Sequence, residues 1–437
     1  MSEKPPRYVT FSPKDFIHGP YVDCPKCGAK TFGVLTIGAR QYTRRCSECF
    51  YPHPHRSESS EGYPLPALKK KVIYVDQFAI SNMMKVLNAT TKAHQRIDPF
   101  WKVLFEKLDT LCKLQLIICP DSHSHRNESL LAPSYEHLRR MYELLSHGVT
   151  FYDSWTIKSF QILRRLSVWL GEVKEPELDV RTIVHGEINA WQERCILSIG
   201  GLGDDIVEEI RASRDQLDEA LAPIFKRWQT EGGKPFEFWY EQERKATARV
   251  LVELYQQQVT RAALASVGLT PFSLGSFMPN AASRVIFSIK ERMRKSGIPE
   301  DTIQAKLIEF LASDVFEDAP YIKISAMLYA AMARQAAAGR KKPPGRGFSA
   351  DVDTISALLL YCDAMFVDNE MYQFLHEEPI RNEIKKYKTS VFCLKVRDGF
   401  LQYLDQIKAS APRRHLQKVE EVYGEDWGRP FTELYKT

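Results

Sequence analysis

The stretch SADVDTISALLLYCDAMFVDNEM, residues 349–371, decides how the rest of the chain is read. Residues 353–362 read as a helix. AMFV (364–367) is wholly apolar, lacks the alternation of a half-solvated strand, and stops at Asp368. Such a run marks a strand buried on both faces, and strands of that kind occur in parallel sheets covered by helices. Three more runs share the pattern: VIYV (72–75), ending at Asp76, LQLIIC (114–119), ending in Pro120-Asp121, and VFCL (391–394). Helical segments separate all four. The expectation is an α/β fold whose parallel sheet is flanked by helices.

Between the second and third of these runs lies a long segment, 136–318, whose apolar residues recur at spacings of three and four, as one helical face requires. Helices are expected at 154–170, 206–229, 236–265, 280–295 and 301–313, and another at 320–338 between Pro320 and Gly339. The segment reads as a large all-helical insertion dividing the sheet domain into 72–135 and 319–408. A basic loop, GRKKPPGRG (339–347), follows it. Residues 1–56 form a small separate module, 57–71 read as a linker rich in Pro, Ser and charge, and the tail 409–437 has no assignable pattern.

That first module carries Cys24-Pro-Lys-Cys27, eighteen residues, then Cys46-Ser-Glu-Cys49. Two CxxC pairs give four thiolates able to close a tetrahedron around zinc, and closed four-cysteine sites are structural. The intervening GVLTIGARQYTRR alternates as a hairpin would. The module resembles the zinc-ribbon family, which implies one structural Zn²⁺ on Cys24, Cys27, Cys46 and Cys49. Arg40, Arg44 and Arg45 on the hairpin are placed to touch phosphate or to form a solvated rim.

Composition narrows the classes further. Lys and Arg number 60 against 55 Asp and Glu, a net charge of +5, too mild by itself to argue for nucleic acid. The opening MSEKPPRYVTFSPKDF is polar, so no secretory signal is expected. No apolar run approaches the ~18 residues of a membrane span. Of nine cysteines, the five outside the CxxC pairs are scattered in apolar surroundings, as buried thiols are. A reducing, cytoplasmic setting is expected.

The acids carry the most chemical information. In open parallel sheets, sites form at the carboxyl ends of strands. Asp76 ends VIYV, Asp121 and Glu128 follow LQLIIC, Asp368 ends AMFV, and Asp351, Asp353 and Asp363 flank the helix before it. Carboxylates gathered at one edge repel one another unless a cation lies among them, and such hard ligands suit Mg²⁺ or Mn²⁺. Each acid also has an ordinary reading: Asp353 would complement a helix dipole, and Asp368 would end a strand in a turn.

KVIYVDQFAIS (71–81), PDSHSHRNESL (120–130) and LLYCDAMFVDN (359–369) resemble the PIN-like nuclease superfamily over roughly 72–135 and 320–395. The resemblance implies a catalytic set of Asp76, Glu128, Asp353 and Asp368, with Asp351 able to replace Asp353 and Asp363 a secondary candidate. It implies Mg²⁺ or Mn²⁺ on Asp76, Asp353 and Asp368. The activity implied is hydrolysis of phosphodiester bonds, most readily in RNA, leaving 5′-phosphate and 3′-hydroxyl ends. Gln77 stands where compact members carry a small hydroxyl residue. Arg126, Arg340, Lys341, Lys342 and Arg346 are the candidate contacts to a nucleic-acid backbone. Two other readings use the same residues: a single-stranded DNA nuclease, and a non-catalytic adaptor whose ribbon or insertion docks a protein or nucleic-acid partner.

Overall fold

The computed structural model describes residues 12–53, 62–88, 96–132, 134–194, 219, 221–269, 277–345 and 347–434. Strands β1 (His18–Val22), β2 (Phe32–Ile37), β3 (Gln41–Cys46), β4 (Pro52–His53) and β5 (Tyr63–Pro64) make an antiparallel sheet of order β1-β2-β3-β4, with β5 also paired to β3. The expected hairpin is β2–β3. Strands β6 (Lys71–Val75) and β7 (Ile117–Ile118) belong to the main sheet, and β8 (Thr150–Phe151) pairs with β9 (Val184–His185). Strands β10 (Ala364–Phe366) and β11 (Ser390–Phe392) complete the main sheet, whose order is β11-β10-β6-β7 with every pair parallel.

Helices α1 (Gln77–Leu87), α2 (Phe100–Lys113), α3 (His123–Leu130) and α4 (Tyr135–Ser146) surround the first strands. The insertion holds α5 (Ser154–Trp169), α6 (Phe236–Ser266), α7 (Ala281–Lys295), α8 (Glu300–Leu311) and α9 (Asp314–Glu317). Then come α10 (Pro320–Ala337), α11 (Phe348–Leu358), α12 (Asn369–His376), α13 (Ile380–Ile384), α14 (Arg397–Ala409) and α15 (Arg413–Tyr423). Among the described residues no helix is long and apolar enough to cross a membrane.

The apolar runs are explained by burial on both faces. Val72 and Tyr74 of β6, with Met365 and Val367, pack under α10 and α11, while Ile73, Val75, Ala364 and Phe366 pack under α1, α2, α4 and α14. Period-two alternation therefore sends consecutive residues into two different cores, and neither face leaves room for a polar side chain.

Two expectations change, and one lies partly outside the described residues. The insertion is not helical throughout, because β8 and β9 interrupt it. The Phe151 amide donates to Asp121 O (2.9 Å) and the Asp121 amide to Val149 O (3.3 Å), so β8 bridges in parallel to the segment that leaves β7. Main-chain groups beyond β7 would otherwise lack partners, and the short β-branched and aromatic run VTFY satisfies them. Of the helix expected at 206–229, residues 221–229 are helical and those before 219 lie outside the described residues. The second half of the linker is pinned: Gly62 donates to Gln41 Oε1 (2.9 Å), and Leu65 and Leu68 are buried.

The tail gains a place. Val419, Val422 and Tyr423 of α15 share one apolar cluster with Val34, Ile37 and Tyr42 of the ribbon and with Trp191. Arg44, 5% exposed, ties this junction together by donating to Pro20 O (2.6 Å), Phe32 O (3.1 Å) and Glu421 O (3.2 Å). Arg44→Ala strands those carbonyls inside the junction, and a loss of about 2–3 kcal/mol is expected. A urea unfolding midpoint unchanged by the substitution would refute that role.

Candidate functional site

In the ribbon, Cys24 Sγ lies 3.6 Å from Cys49 Sγ and Cys27 Sγ lies 3.7 Å from Cys46 Sγ. All four ligand atoms fall within 4.8 Å of one another, a group that could hold a metal ion. These separations are far from the ~2.05 Å of a disulfide. They match the edge of about 3.8 Å that a regular tetrahedron has when each metal–sulfur bond is ~2.3 Å. The knuckle backbone is set for thiolates: the Lys26 amide donates to Cys24 Sγ (3.4 Å) and the Cys49 amide to Cys46 Sγ (3.4 Å). Thr31 Oγ1 lies 3.2 Å from Cys46 Sγ. The donor set fits zinc. Of the hairpin arginines, Arg44 is consumed by the α15 junction, Arg45 donates to Phe50 O (3.2 Å), and Arg40 is exposed.

The acids meet at the opposite end of the molecule's logic, where strand order reverses. From β6 the chain moves outward to β7 in one direction, and β10 enters on the other side of β6. The crevice at such a reversal, outside the strands' carboxyl ends, is where open α/β sheets bind ligands. Val75 and Phe366 are partners in register, and the Asp76 amide donates to Phe366 O (3.0 Å). Asp76 and Asp368 thus leave neighbouring parallel strands at the same edge. Each caps the helix that follows: Asp76 accepts from the Phe78 amide (3.3 Å), and Asp368 from the Met371 amide (2.6 Å).

Electrostatics bring in the third acid. Asp76 is pushed up to about 7, first by burial, then by the charge of Glu128 and further by that of Asp368, against the pull of the Phe78 and Gln77 amides. Burial also raises Asp368, with Glu370 adding to it. Tyr74 is raised by burial and then by the charges of Asp76, Asp351 and Glu128, so these three acids all act on one buried tyrosine.

Asp353 takes another direction. Its carboxylate pairs with Lys158 of α5, whose ammonium also lies over the rings of Trp155 (5.2 Å) and Tyr321 (5.6 Å). Residues two apart on a helix project about 200° apart, so Asp351 and Asp353 do not face one crevice together. Asp363 sits at the other edge of the sheet, where its carboxylate accepts from the Val72 amide (2.8 Å) and pairs with Lys71 (3.2 Å). The chain from 363 to 368 spans roughly 15 Å of strand.

The basic candidates divide as well. Arg126 is held by Asp121 (2.9 Å) and Thr150 Oγ1 (2.6 Å). Arg340 is held by Glu370, Gln335 Oε1 and Lys342 O, which anchors the basic loop next to the cap of α12. Lys341 and Lys342 are exposed, and Arg346 lies outside the described residues.

Sequence reasoning missed the groups that brace the acids. Gln77 Nε2 donates to Ser129 Oγ (3.2 Å), and the Tyr142 hydroxyl donates to Gln77 Oε1. This bracket locks the residue after Asp76 to the residue after Glu128. His125 is sandwiched between Tyr74 and Tyr142, each ring centroid 5.0 Å away, and burial lowers it to about 3. It is a neutral packing ring, not a phosphate contact. The histidine's place on α3 gave no sign of this, because both stacking partners come from other elements.

The carboxylates do not close to the spacing of the cysteines: among the described residues only the four thiols form a group within 4.8 Å. No family model, curated protein or solved structure matches this chain.

Proposed function

We propose that this chain is a metal-dependent, PIN-like nuclease that hydrolyses phosphodiester bonds in RNA and carries a structural zinc ribbon. The observation that supports this most is the gathering of Asp76 and Asp368 on neighbouring strand ends at the point where strand order reverses, with the charge of Glu128 felt at Asp76 and those of Asp76, Glu128 and Asp351 felt at Tyr74. Asp76, Asp368 and Asp351 are the residues that would hold Mg²⁺ or Mn²⁺, which would supply water activation and charge neutralisation at phosphorus. Asp351 takes the role the sequence had assigned to Asp353. Glu128, braced through Ser129 and Gln77, would accept a hydrogen bond from the attacking water and orient it. Lys341 and Lys342 lie on the loop anchored beside Asp368, where they would contact backbone phosphates.

The test is incubation of end-labelled single-stranded RNA and matched DNA with the full chain in Mn²⁺, Mg²⁺ or EDTA. RNA cleavage that needs the divalent ion is the expected result. Preferential DNA cleavage would move the assignment to a single-strand DNA nuclease. A folded, zinc-loaded chain that cuts neither would favour the adaptor reading.

A further inference from the structure

Beside the acid crevice two cavities, of about 350 and 220 Å³, share Trp155, Tyr329, Ser349 and Asp353. They run together as one groove. Its upper end is lined by Ser122, His123 and Asn127 of α3 and by Ala350 of α11. Asn127 and Ala350 directly adjoin Glu128 and Asp351 in the chain, so the same two helices carry acids on one side and groove wall on the other.

We infer that this groove seats one unstacked nucleobase of a single-stranded nucleic acid whose backbone crosses the acids. The inference rests on the nuclease reading for its substrate class. Three observations carry it. The walls are aromatic and half-buried: Tyr152, Trp155 and Tyr329 each leave part of the ring open to the groove. They are also held in place, Tyr152 by His185 (4.1 Å between centroids), Tyr329 by Phe348 (6.0 Å) and Trp155 by Lys158 (5.2 Å). A fixed aromatic face stacks any base at little entropic cost.

The charge balance excludes the backbone as occupant. Besides tyrosines, the ionisable lining groups are Lys158, His123, Glu243 and Asp353, and Lys158 is already matched by Asp353. A groove without cationic excess does not attract phosphate. The Asp353 carboxylate is 37% exposed and keeps acceptor capacity for the amino edge of a base. The volume lies at the small end of ligand sites, room for a single ring system and not for a paired base within a duplex.

The test measures binding in EDTA, so that turnover does not intervene, with a fluorescent single-stranded oligoribonucleotide and a series carrying one abasic position each. One abasic position is expected to weaken binding by the wild type about ten-fold, the effect of one lost base–aromatic stack. Trp155→Ala should lose the same factor on the intact strand and be indifferent to that abasic position. Trp155→Phe keeps a ring and controls for folding. Ser349→Phe, which fills the groove from α11 and leaves Trp155 in place, should reproduce the loss.

If Trp155→Ala and Ser349→Phe bind like the wild type, or if the abasic loss persists undiminished in Trp155→Ala, the groove is not a base site. Metal-dependent cleavage retained alongside that outcome overturns the groove alone. Absence of both binding and cleavage by the wild type overturns the groove and the nuclease reading together.

Discussion

Asp76→Asn is expected to reduce metal-dependent cleavage by about 10³-fold or more and, in the same protein, to raise stability in EDTA above pH 7. The rate loss follows from removing the carboxylate that feels the charges of both Glu128 and Asp368, where charge neutralisation by a bound ion would be worth several kcal/mol. The stability gain follows from linkage. Burial and the charges of Glu128 and Asp368 raise Asp76 from 3.8 to about 7. Between those two pH values the unfolded chain has released this proton and the folded chain has kept it, so folding becomes less favourable as pH rises and the penalty is complete above about 7. Asparagine removes the charge and keeps an oxygen to cap α1 from the Phe78 amide, so the cap is not lost with it.

Thermal melts of wild type and variant in EDTA should therefore diverge from about pH 4 upward, with the variant higher by on the order of a few kcal/mol at pH 8. A purely structural Asp76 would behave oppositely, giving a variant no more stable than wild type. Cleavage at the wild-type rate by Asp76→Asn would remove the acid crevice from the chemistry.

Cys46→Ser is expected to have the largest effect on structure. The chain should carry one zinc ion, released only when the thiols are modified or the ribbon unfolds, and the variant should carry none. Structural zinc sites in small finger peptides are worth roughly 10–16 kcal/mol, more than a hairpin of this size can replace. The loss should not stop at the ribbon. Tyr42 donates to Glu421 (2.8 Å) and Arg44 to Glu421 O (3.2 Å), so melting β3 frees α15. Limited proteolysis should cut both 18–53 and 413–423 in the variant and neither in the zinc-loaded wild type. A reduced, zinc-free wild type with an unchanged proteolytic pattern would show that the four thiols do not support the fold.

Much of this architecture was legible in the chain. Four short apolar runs without alternation read as strands covered on both faces, and each contributes a strand to the parallel sheet. The acid at the end of a strand is at the sheet's carboxyl edge by construction, which is why Asp76 and Asp368 were identifiable. The same logic places Asp363 at the other edge, since it precedes AMFV, although its residue type alone made it a candidate. β8 was harder to read because two residues are too few to show a period, and its partners, β9 and the bridging Asp121, both lie far off in the chain.

Taken alone, then, the sequence determined what local periodicity and spacing can encode: the strands of the parallel sheet, which end of each carries an acid, and that two CxxC pairs supply four thiols able to form one metal site. Only the tertiary structure decided how α11 is rotated about its own axis, and hence that Asp353 turns to Lys158, 195 residues away, while the charge of Asp351 acts on Tyr74. The same holds for Arg44, whose carbonyl partners include Glu421 at the far end of the chain. Helix rotation and long-range ion pairs are set by how neighbouring side chains interlock, and no local pattern carries that information.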